Sequence, residues 1–208
     1  MKKIIARYVV ASLAAVLALE GGALLAQQLG ASLTVKPSPA FRQFNPQGVC
    51  KVYEFTDFAC PACKSAWQEM HKLLEEKNGR LSLELKHFPL KMHKWSLDAA
   101  LAADCAGRQG KFREYGDKLF SEQGTWVYDD KAPETFLRFA RELGLKEAAF
   151  NYCVNNAGYR KVVERDAAEA RRLELNATPT FIVNGTKAVG YKNALAEIEK
   201  CLKTTDGK

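Results

Sequence analysis

Two cysteines separated by two residues lie at the junction between a β-rich segment and a helical pattern. Cys60 and Cys63 bracket the dipeptide Pro-Ala, and the β-rich residues 49–56 precede them. Residues 61–77 then carry apolar side chains at helical spacing. Such a pair can close a disulfide across the first turn of a helix, where backbone N–H groups have no partner within the helix. This placement favours thiol-disulfide chemistry on a strand-helix unit of an α/β fold.

The two sulfurs should differ in acidity. The unpaired N–H groups and the positive end of the helix dipole stabilise a thiolate at Cys60, which lowers the pKa of this residue. Pro61 suits the first helical position because it has no N–H to lose and a fixed φ. Cys63 lies one turn further in and should be more buried and less acidic. We therefore expect Cys60 to be the nucleophile and Cys63 to be the resolving cysteine.

The same pair has two other possible uses, as half of a metal site or as an inert structural disulfide. A tetrahedral zinc site needs two more ligands. The chain has no second pair of this spacing, and its histidines, His71, His87 and His93, lack paired ligand spacing. Redox chemistry is therefore the favoured interpretation, with no metal and no cofactor expected.

Composition excludes several classes of protein. The chain has 208 residues, of which 47% are hydrophobic and 26% charged, as in a globular protein. It is long enough to bury a core, so its six cysteines are not the staples of a disulfide-rich mini-protein. The formal net charge is +7, but basic residues alternate with acidic ones. We therefore expect a solvated basic surface and no nucleic-acid partner.

The N-terminus resembles an export signal. A positively charged start, an apolar run over residues 8–19 and small residues up to Ala26 fit a cleaved signal peptide. The alternative is an uncleaved signal anchor, in which Glu20 would lie within the membrane span at a cost of about 2.5 to 3.5 kcal/mol. We predict that residues 1–26 are a signal peptide or signal anchor. The folded part is then periplasmic or otherwise extracytoplasmic, either soluble after cleavage or tethered by the N-terminal segment.

The pattern of elements predicts a sheet domain interrupted by helices. A second strand over residues 81–88 follows the first helix, which suggests a parallel βαβ unit. About five short helices follow, up to residue 175. The chain ends with a hairpin that turns at Asn184-Gly185 and a closing helix over residues 194–202. The predicted domains are a proline-containing linker at 27–48, a βαβ plus ββα domain at 49–92 and 176–208, and an all-helical insertion at 93–175.

The other four cysteines, Cys50, Cys105, Cys153 and Cys201, allow three pairings. Cys105 and Cys153 both fall in the insertion, so a disulfide between them is favoured. On the chain-entropy relation, this bridge would stabilise the fold by about 4 kcal/mol at most. A bridge from Cys50 in the first strand to Cys201 in the last helix would clasp the sheet domain. Two buried free thiols are the alternative.

Four motifs stand in order along the chain. They are EFTDFACPAC at 54–63, HFPL at 87–90, CAGRQGKF at 105–112 and ATPTFIVNG at 177–185. Together they resemble the DsbA-like thioredoxin-fold family, and the similarity extends from about Val49 to Leu202. The resemblance implies a thioredoxin fold with an inserted helical domain and thiol-disulfide oxidoreductase activity.

The resemblance assigns roles to three further residues. Pro179 matches the family's cis-proline, which would lie against the cysteine pair and hold the preceding backbone extended for a substrate strand. A trans loop proline is the alternative. Thr178 would offer its backbone to the substrate. Glu54 matches a buried acid beneath the active site that could relay the proton of Cys63, although a solvent-exposed strand-end glutamate also fits the sequence.

One position departs from the family. Strongly oxidising relatives carry His where this chain has Ala62, and alanine cannot stabilise a thiolate by hydrogen bonding or charge. We therefore expect a less acidic Cys60 and a milder oxidant than those relatives.

The function expected from these observations is that of a dithiol oxidase outside the cytoplasm. It would donate its Cys60–Cys63 disulfide to unfolded or newly exported proteins with free thiols. The resemblance implies reoxidation by a quinone-linked membrane partner of DsbB or VKOR type. A disulfide isomerase or reductase of the same fold is the alternative within this chemistry, and a CxxC metal-binding carrier is the alternative from another class.

Overall fold

The central strand of the sheet leads directly into the cysteine pair. The computed structural model describes residues 33–206, and the signal peptide or signal anchor predicted at residues 1–26 lies outside them. The described strands are β1 (Gln43–Phe44), β2 (Cys50–Thr56), β3 (Leu81–His87), β4 (Thr180–Val183) and β5 (Thr186–Val189). Their order in the sheet is β1-β3-β2-β4-β5, with β2 and β3 parallel and the other neighbours antiparallel. This arrangement has β2 at its centre.

Helices cover the sheet and form the insertion. They are α1 (Pro61–Glu76), α2 (Ser96–Gly107), α3 (Phe112–Ser121), α4 (Gln123–Trp126), α5 (Ala132–Glu142), α6 (Glu147–Val154), α7 (Ala157–Arg172) and α8 (Tyr191–Asp206). The first helix joins the parallel strands, and α2 to α7 stand between β3 and β4. The predicted α/β fold, βαβ plus ββα with an all-helical insertion, is therefore confirmed. In the part of the chain described here, no helix is both long enough and apolar enough to cross a membrane.

The insertion differs in detail from the expected five short helices. The described residues contain a sixth, α4, at the position where the sequence predicts a break. Gln123 fixes this turn because its side chain donates to the carbonyl oxygen of Phe58 at 2.8 Å, and Trp126 is fully buried. The last helix also begins earlier than predicted, at Tyr191, directly after Gly190 with its φ of +77°.

Residues 33–48 belong to the folded domain, so the prediction of a linker over 27–48 is wrong for this part. Arg42 is fully buried, donates to Asp104 at 2.9 Å and pairs with Asp166. The short strand β1 pairs with β3. Prolines keep the regular elements of this segment short but do not prevent packing. The segment is fixed by single buried contacts, which leave no periodic pattern in the sequence.

Alternation along β2 decides which side of the sheet each of its residues faces. Val52 lies in the hydrophobic cluster that includes side chains of α1 and α8. Phe55 lies in a second cluster, with Ala170 of α7. Glu54, two residues after Val52, therefore lies on the side of the sheet that α1 covers.

Candidate active site

Cys60 and Cys63 lie where the central strand ends and α1 begins. Cys60 is the N-cap residue of α1, and Pro61 occupies the first turn. Both cysteines are free thiols in this structure. Cys60 keeps 8% of its surface exposed, whereas Cys63 has none. Only Cys60 is therefore open to a sulfur from outside.

The two thiols differ strongly in acidity. A hydrogen bond from the Cys63 side chain is the main cause that lowers the pKa of Cys60 from 9.0 to about 5. The Thr178 side chain and the N–H groups of Cys63 and Ala62 act in the same direction, while partial burial opposes them. Burial raises the pKa of Cys63 well above 9.0, and the neighbouring Cys60 adds to that shift. At neutral pH, Cys60 is mainly a thiolate and Cys63 a thiol.

The loop before β4 closes the site around Cys60. The peptide bond between Thr178 and Pro179 is cis. The carbonyl oxygen of Thr178 lies 3.4 Å from the Cys60 sulfur. The Thr178 hydroxyl is buried, makes no regular hydrogen bond to another described residue, and contributes to the low pKa of Cys60. Thr178 thus lies at the nucleophile, and Pro179 follows it through the cis bond that the resemblance implies.

Glu54 is fully buried in the central strand, on the same face as Thr56. Neither carboxyl oxygen has a hydrogen-bond partner of regular geometry among the described residues. Burial raises the pKa of Glu54 from 4.5 to about 8, and the Thr56 hydroxyl offsets only part of this shift. Glu54 is therefore a mostly neutral acid at pH 7, not the solvent-exposed glutamate that the sequence also allowed.

Asp57, a residue that the sequence did not single out, touches both cysteines. Its backbone N–H donates to the Cys63 sulfur at 3.4 Å, and its carbonyl oxygen accepts from the Cys60 N–H at 3.0 Å. Its carboxylate accepts from the Ala59 N–H at 2.8 Å. Aspartate commonly bonds the backbone two residues further on in a turn, so its place directly after the strand was the available signal.

The helical insertion supports the loop before Cys60. The ring of Phe58 packs against Phe120 of α3, with 4.9 Å between ring centroids, in addition to the bond from Gln123 to its carbonyl oxygen. Periodicity identifies Phe120 as a core residue but does not reveal its partner. The insertion is therefore part of the scaffold that fixes the cysteine pair.

The other four cysteines form two disulfides. One joins Cys105 of α2 to Cys153 of α6, and the other joins Cys50 of β2 to Cys201 of α8. These are the two pairs that the positions in the sequence favour. The first holds helices of the insertion together, and the second ties the central strand to the last helix.

Each of the three histidines has a hydrogen-bond partner of its own. His71 lies within α1, His87 binds Asp104 at 2.8 Å, and His93 binds Asp57 at 2.7 Å. Among the described residues, no group of three or more His, Cys, Asp or Glu side chains is placed to hold a metal ion.

A CxxC pair that caps a helix is the arrangement found in thiol-disulfide oxidoreductases such as thioredoxin and DsbA. Residues 45–204 match the family model described as thioredoxin, and the chain belongs to that family. Its fold is DsbA-like: it superimposes on Wolbachia pipientis α-DsbA1 with a TM-score of 0.70, at 24% identity, over 82% of this chain and 94% of that one.

Two further comparisons give higher sequence identity. A thioredoxin-like oxidoreductase from Silicibacter pomeroyi DSS-3 is 26% identical, with a TM-score of 0.65, over 77% of this chain and 91% of that one. The Na(+)/H(+) antiporter NhaA 1 of Mycobacterium sp. (strain KMS) is 35% identical over 158 residues, which are 74% of this chain and 25% of the antiporter. The chain therefore spans about a quarter of the length of this curated relative.

Proposed function

We propose that this protein is an extracytoplasmic dithiol oxidase that donates the Cys60–Cys63 disulfide to exported proteins with free thiols. The observation that carries the proposal is the asymmetry of the pair. Cys60 is partly exposed with a pKa lowered to about 5, whereas Cys63 is buried with its pKa raised. A stabilised Cys60 thiolate favours the reduced form of the pair, and a pair that prefers to be reduced oxidises its clients.

The reaction proceeds through a mixed disulfide. A client thiolate attacks the Cys60 sulfur of the oxidised pair, so that the Cys60–Cys63 bond breaks and Cys63 leaves as a thiolate. A second client thiolate then attacks the client sulfur of the mixed disulfide, and Cys60 leaves as a thiolate. The client loses two electrons and the cysteine pair gains them. The low pKa of Cys60 makes it a good leaving group in the second step.

Glu54 supplies a proton in this scheme. Cys63 leaves as a thiolate in a buried position, where its own pKa is raised by burial. Glu54 is neutral up to a pKa of about 8 and lies on the sheet face covered by α1. The Thr56 hydroxyl lowers the pKa of both Glu54 and Cys63, so it is the polar group that the two share. Glu54 thus protonates Cys63 and recovers the proton on reoxidation.

The resemblance also suggests a substrate and a partner. The extended backbone at Thr178 and Pro179 would pair with a client segment beside Cys60, as the resemblance implies. Reoxidation would come from a quinone-linked membrane protein of DsbB or VKOR type. These assignments, and the location outside the cytoplasm, are supported by the family resemblance and by the export-like N-terminus.

Trapping of clients tests the proposal. Cys63→Ala leaves Cys60 able to attack but removes the resolving thiol, so it should accumulate mixed disulfides with exported proteins in cells. Cys60→Ala is the matched control and should trap none. Absence of trapped clients in Cys63→Ala would overturn the exchange function.

Redox equilibrium separates the alternatives. An oxidase should be mostly oxidised in cells and should be reduced readily by glutathione, whereas a reductase or isomerase should be mostly reduced in cells. A metal carrier would instead hold a stoichiometric soft metal, measurable by elemental analysis of the reduced protein. Either of the last two results would replace the oxidase assignment.

A further inference from the structure

The buried carboxylate of Asp57 collects hydrogen bonds from three segments of the chain. We propose that Asp57 is a positioning residue that holds its own backbone N–H against the Cys63 sulfur and thereby speeds the departure and return of Cys63. The proposal rests on thiol-disulfide exchange at the Cys60–Cys63 pair, not on the identity of the clients. Asp57 touches no reacting sulfur with its side chain, so its effect passes through the backbone.

The backbone of Asp57 connects to both cysteines. The N–H group lies 3.4 Å from the Cys63 sulfur, and the carbonyl oxygen accepts from the Cys60 N–H at 3.0 Å. Asp57 therefore contacts the sulfur of Cys63 but only the backbone of Cys60. The groups that stabilise the Cys60 thiolate are Cys63, Thr178 and Ala62, whereas the Asp57 N–H is a donor to Cys63.

The side chain of Asp57 fixes that backbone. Oδ1 accepts from the Ala59 N–H at 2.8 Å and from the Ser96 hydroxyl, and Oδ2 accepts from the Leu90 N–H at 2.9 Å and from His93 Nδ1 at 2.7 Å. The carboxylate is fully buried. Its donors come from its own loop, from the segment after β3 and from the start of α2. A carboxylate that is fully supplied with donors holds its residue in one position.

The N–H group matters most when Cys63 carries charge. As a client thiolate attacks Cys60, negative charge develops on the Cys63 sulfur, which burial otherwise disfavours. The Asp57 N–H acts against that penalty, since it lowers the pKa of Cys63. A fixed donor aimed at a developing charge stabilises the transition state without reorganisation.

Asp57→Asn tests the proposal. The amide keeps one acceptor for Ala59 and Ser96, but it places an NH₂ group against the Leu90 N–H, which loses its acceptor. With dithiothreitol as the probe, we expect opening of the oxidised pair to slow about tenfold, the effect of about one well-placed hydrogen bond. The pH dependence of Cys60 alkylation should stay as in the wild type. Asp117→Asn, which alters an exposed aspartate bonded to Trp67, is the control and should change neither the rate of opening nor the pH dependence of Cys60 alkylation.

A Cys63→Ala background shows through which sulfur Asp57 acts. Attack of reduced Cys60 on glutathione disulfide should proceed at the same rate in Cys63→Ala with and without Asp57→Asn. Equal slowing in this background, or no slowing in the full site, would overturn the proposal. If Asp57→Asn does not fold, Ser96→Ala removes a single donor and should slow opening in the same direction by a smaller factor. Absence of slowing there would also count against the proposal, while trapping of exported clients stays an independent result.

Discussion

The sulfur of Cys60 lies 3.4 Å from the carbonyl oxygen of Thr178, although 118 positions of the chain separate the two residues. Strand pairing explains the contact, because β4 lies beside β2 and Phe55 pairs with Thr180. The end of the central strand and the loop before β4 therefore meet at one edge of the sheet. The whole helical insertion lies between them in sequence without separating them in space.

The Thr178 hydroxyl should tune the acidity of Cys60. Thr178→Val removes this hydroxyl and keeps the shape of the side chain, so the pKa of Cys60 should rise above about 5. One hydrogen bond to a thiolate corresponds to about 0.5 to 1 pH unit. The thiolate absorbance of Cys60 as a function of pH measures the change. Thr186→Val on the exposed face of β5 is the control, and an unchanged Cys60 titration in Thr178→Val would contradict the expectation.

Ala62 should limit the oxidising strength of the pair. The side chain is exposed, so Ala62→His can introduce an imidazolium beside the Cys60 thiolate without displacing the core. We expect a lower pKa of Cys60 and a glutathione equilibrium shifted about tenfold toward the reduced protein. Ala62→Leu adds bulk without charge and should leave the equilibrium near that of the wild type. A histidine variant with unaltered equilibrium would show that this position does not set the potential.

Glu54 should make the fold less stable as pH rises. In the unfolded chain its carboxyl ionises near pH 4.5 and in the folded chain near pH 8, so the folded protein holds one more proton between these values. The contribution of Glu54 to stability is thus complete below pH 4.5 and is lost as pH rises through about 8, by an amount on the order of 5 kcal/mol. Urea unfolding of the oxidised protein at several pH values measures this slope, because Cys60 and Cys63 do not titrate while they form a disulfide, whereas the low pKa of a free Cys60 would add a slope of opposite sign.

Glu54→Gln should flatten that dependence, because glutamine has no proton to lose. Glu69→Gln, at an exposed position of α1, is the matched control and should retain the wild-type slope. An equally steep slope in Glu54→Gln would place the responsible group elsewhere.

Arg42 should be essential for folding of the segment before β2. Its fully buried guanidinium pairs with Asp104 and Asp166, so Arg42→Met leaves two buried carboxylates without it. We expect a loss of about 3 to 5 kcal/mol in the free energy of unfolding. Arg138→Met breaks two half-exposed pairs of the insertion surface and should cost less than about 1 kcal/mol. Comparable losses in the two variants would contradict the buried role of Arg42.

Much of the fold follows from local patterns in the sequence. The hairpin of Thr180–Val183 and Thr186–Val189 turns at Asn184-Gly185, as the sequence predicts. The cysteine pair likewise lies at the strand-helix junction that the sequence indicates, since capping and Pro at the first turn act over a few residues. These features depend on residues close together in the sequence, which is why the sequence alone predicts them.

What the sequence does not reveal depends on partners distant in the chain. The sequence places Arg42 in a linker because its partners, Asp104 and Asp166, are more than sixty and more than a hundred positions away. Hydrophobic periodicity reports on neighbouring positions and cannot reveal such distant pairs. The role of Asp57 is hard to predict for the same reason, since its partner His93 lies 36 positions further on. No periodicity marks a single buried charge or a carboxylate shared among loops.

The disulfide between Cys50 and Cys201 encloses every other cysteine of the chain. Cys50 is made first during synthesis and its partner last, so pairing in order of appearance would join the wrong thiols. Correct maturation therefore requires either that oxidation is delayed or that a wrong disulfide is rearranged by thiol-disulfide exchange. The proposed clients of this protein would have the same requirement. The same ring also means that one proteolytic cut within the insertion leaves the two pieces covalently attached.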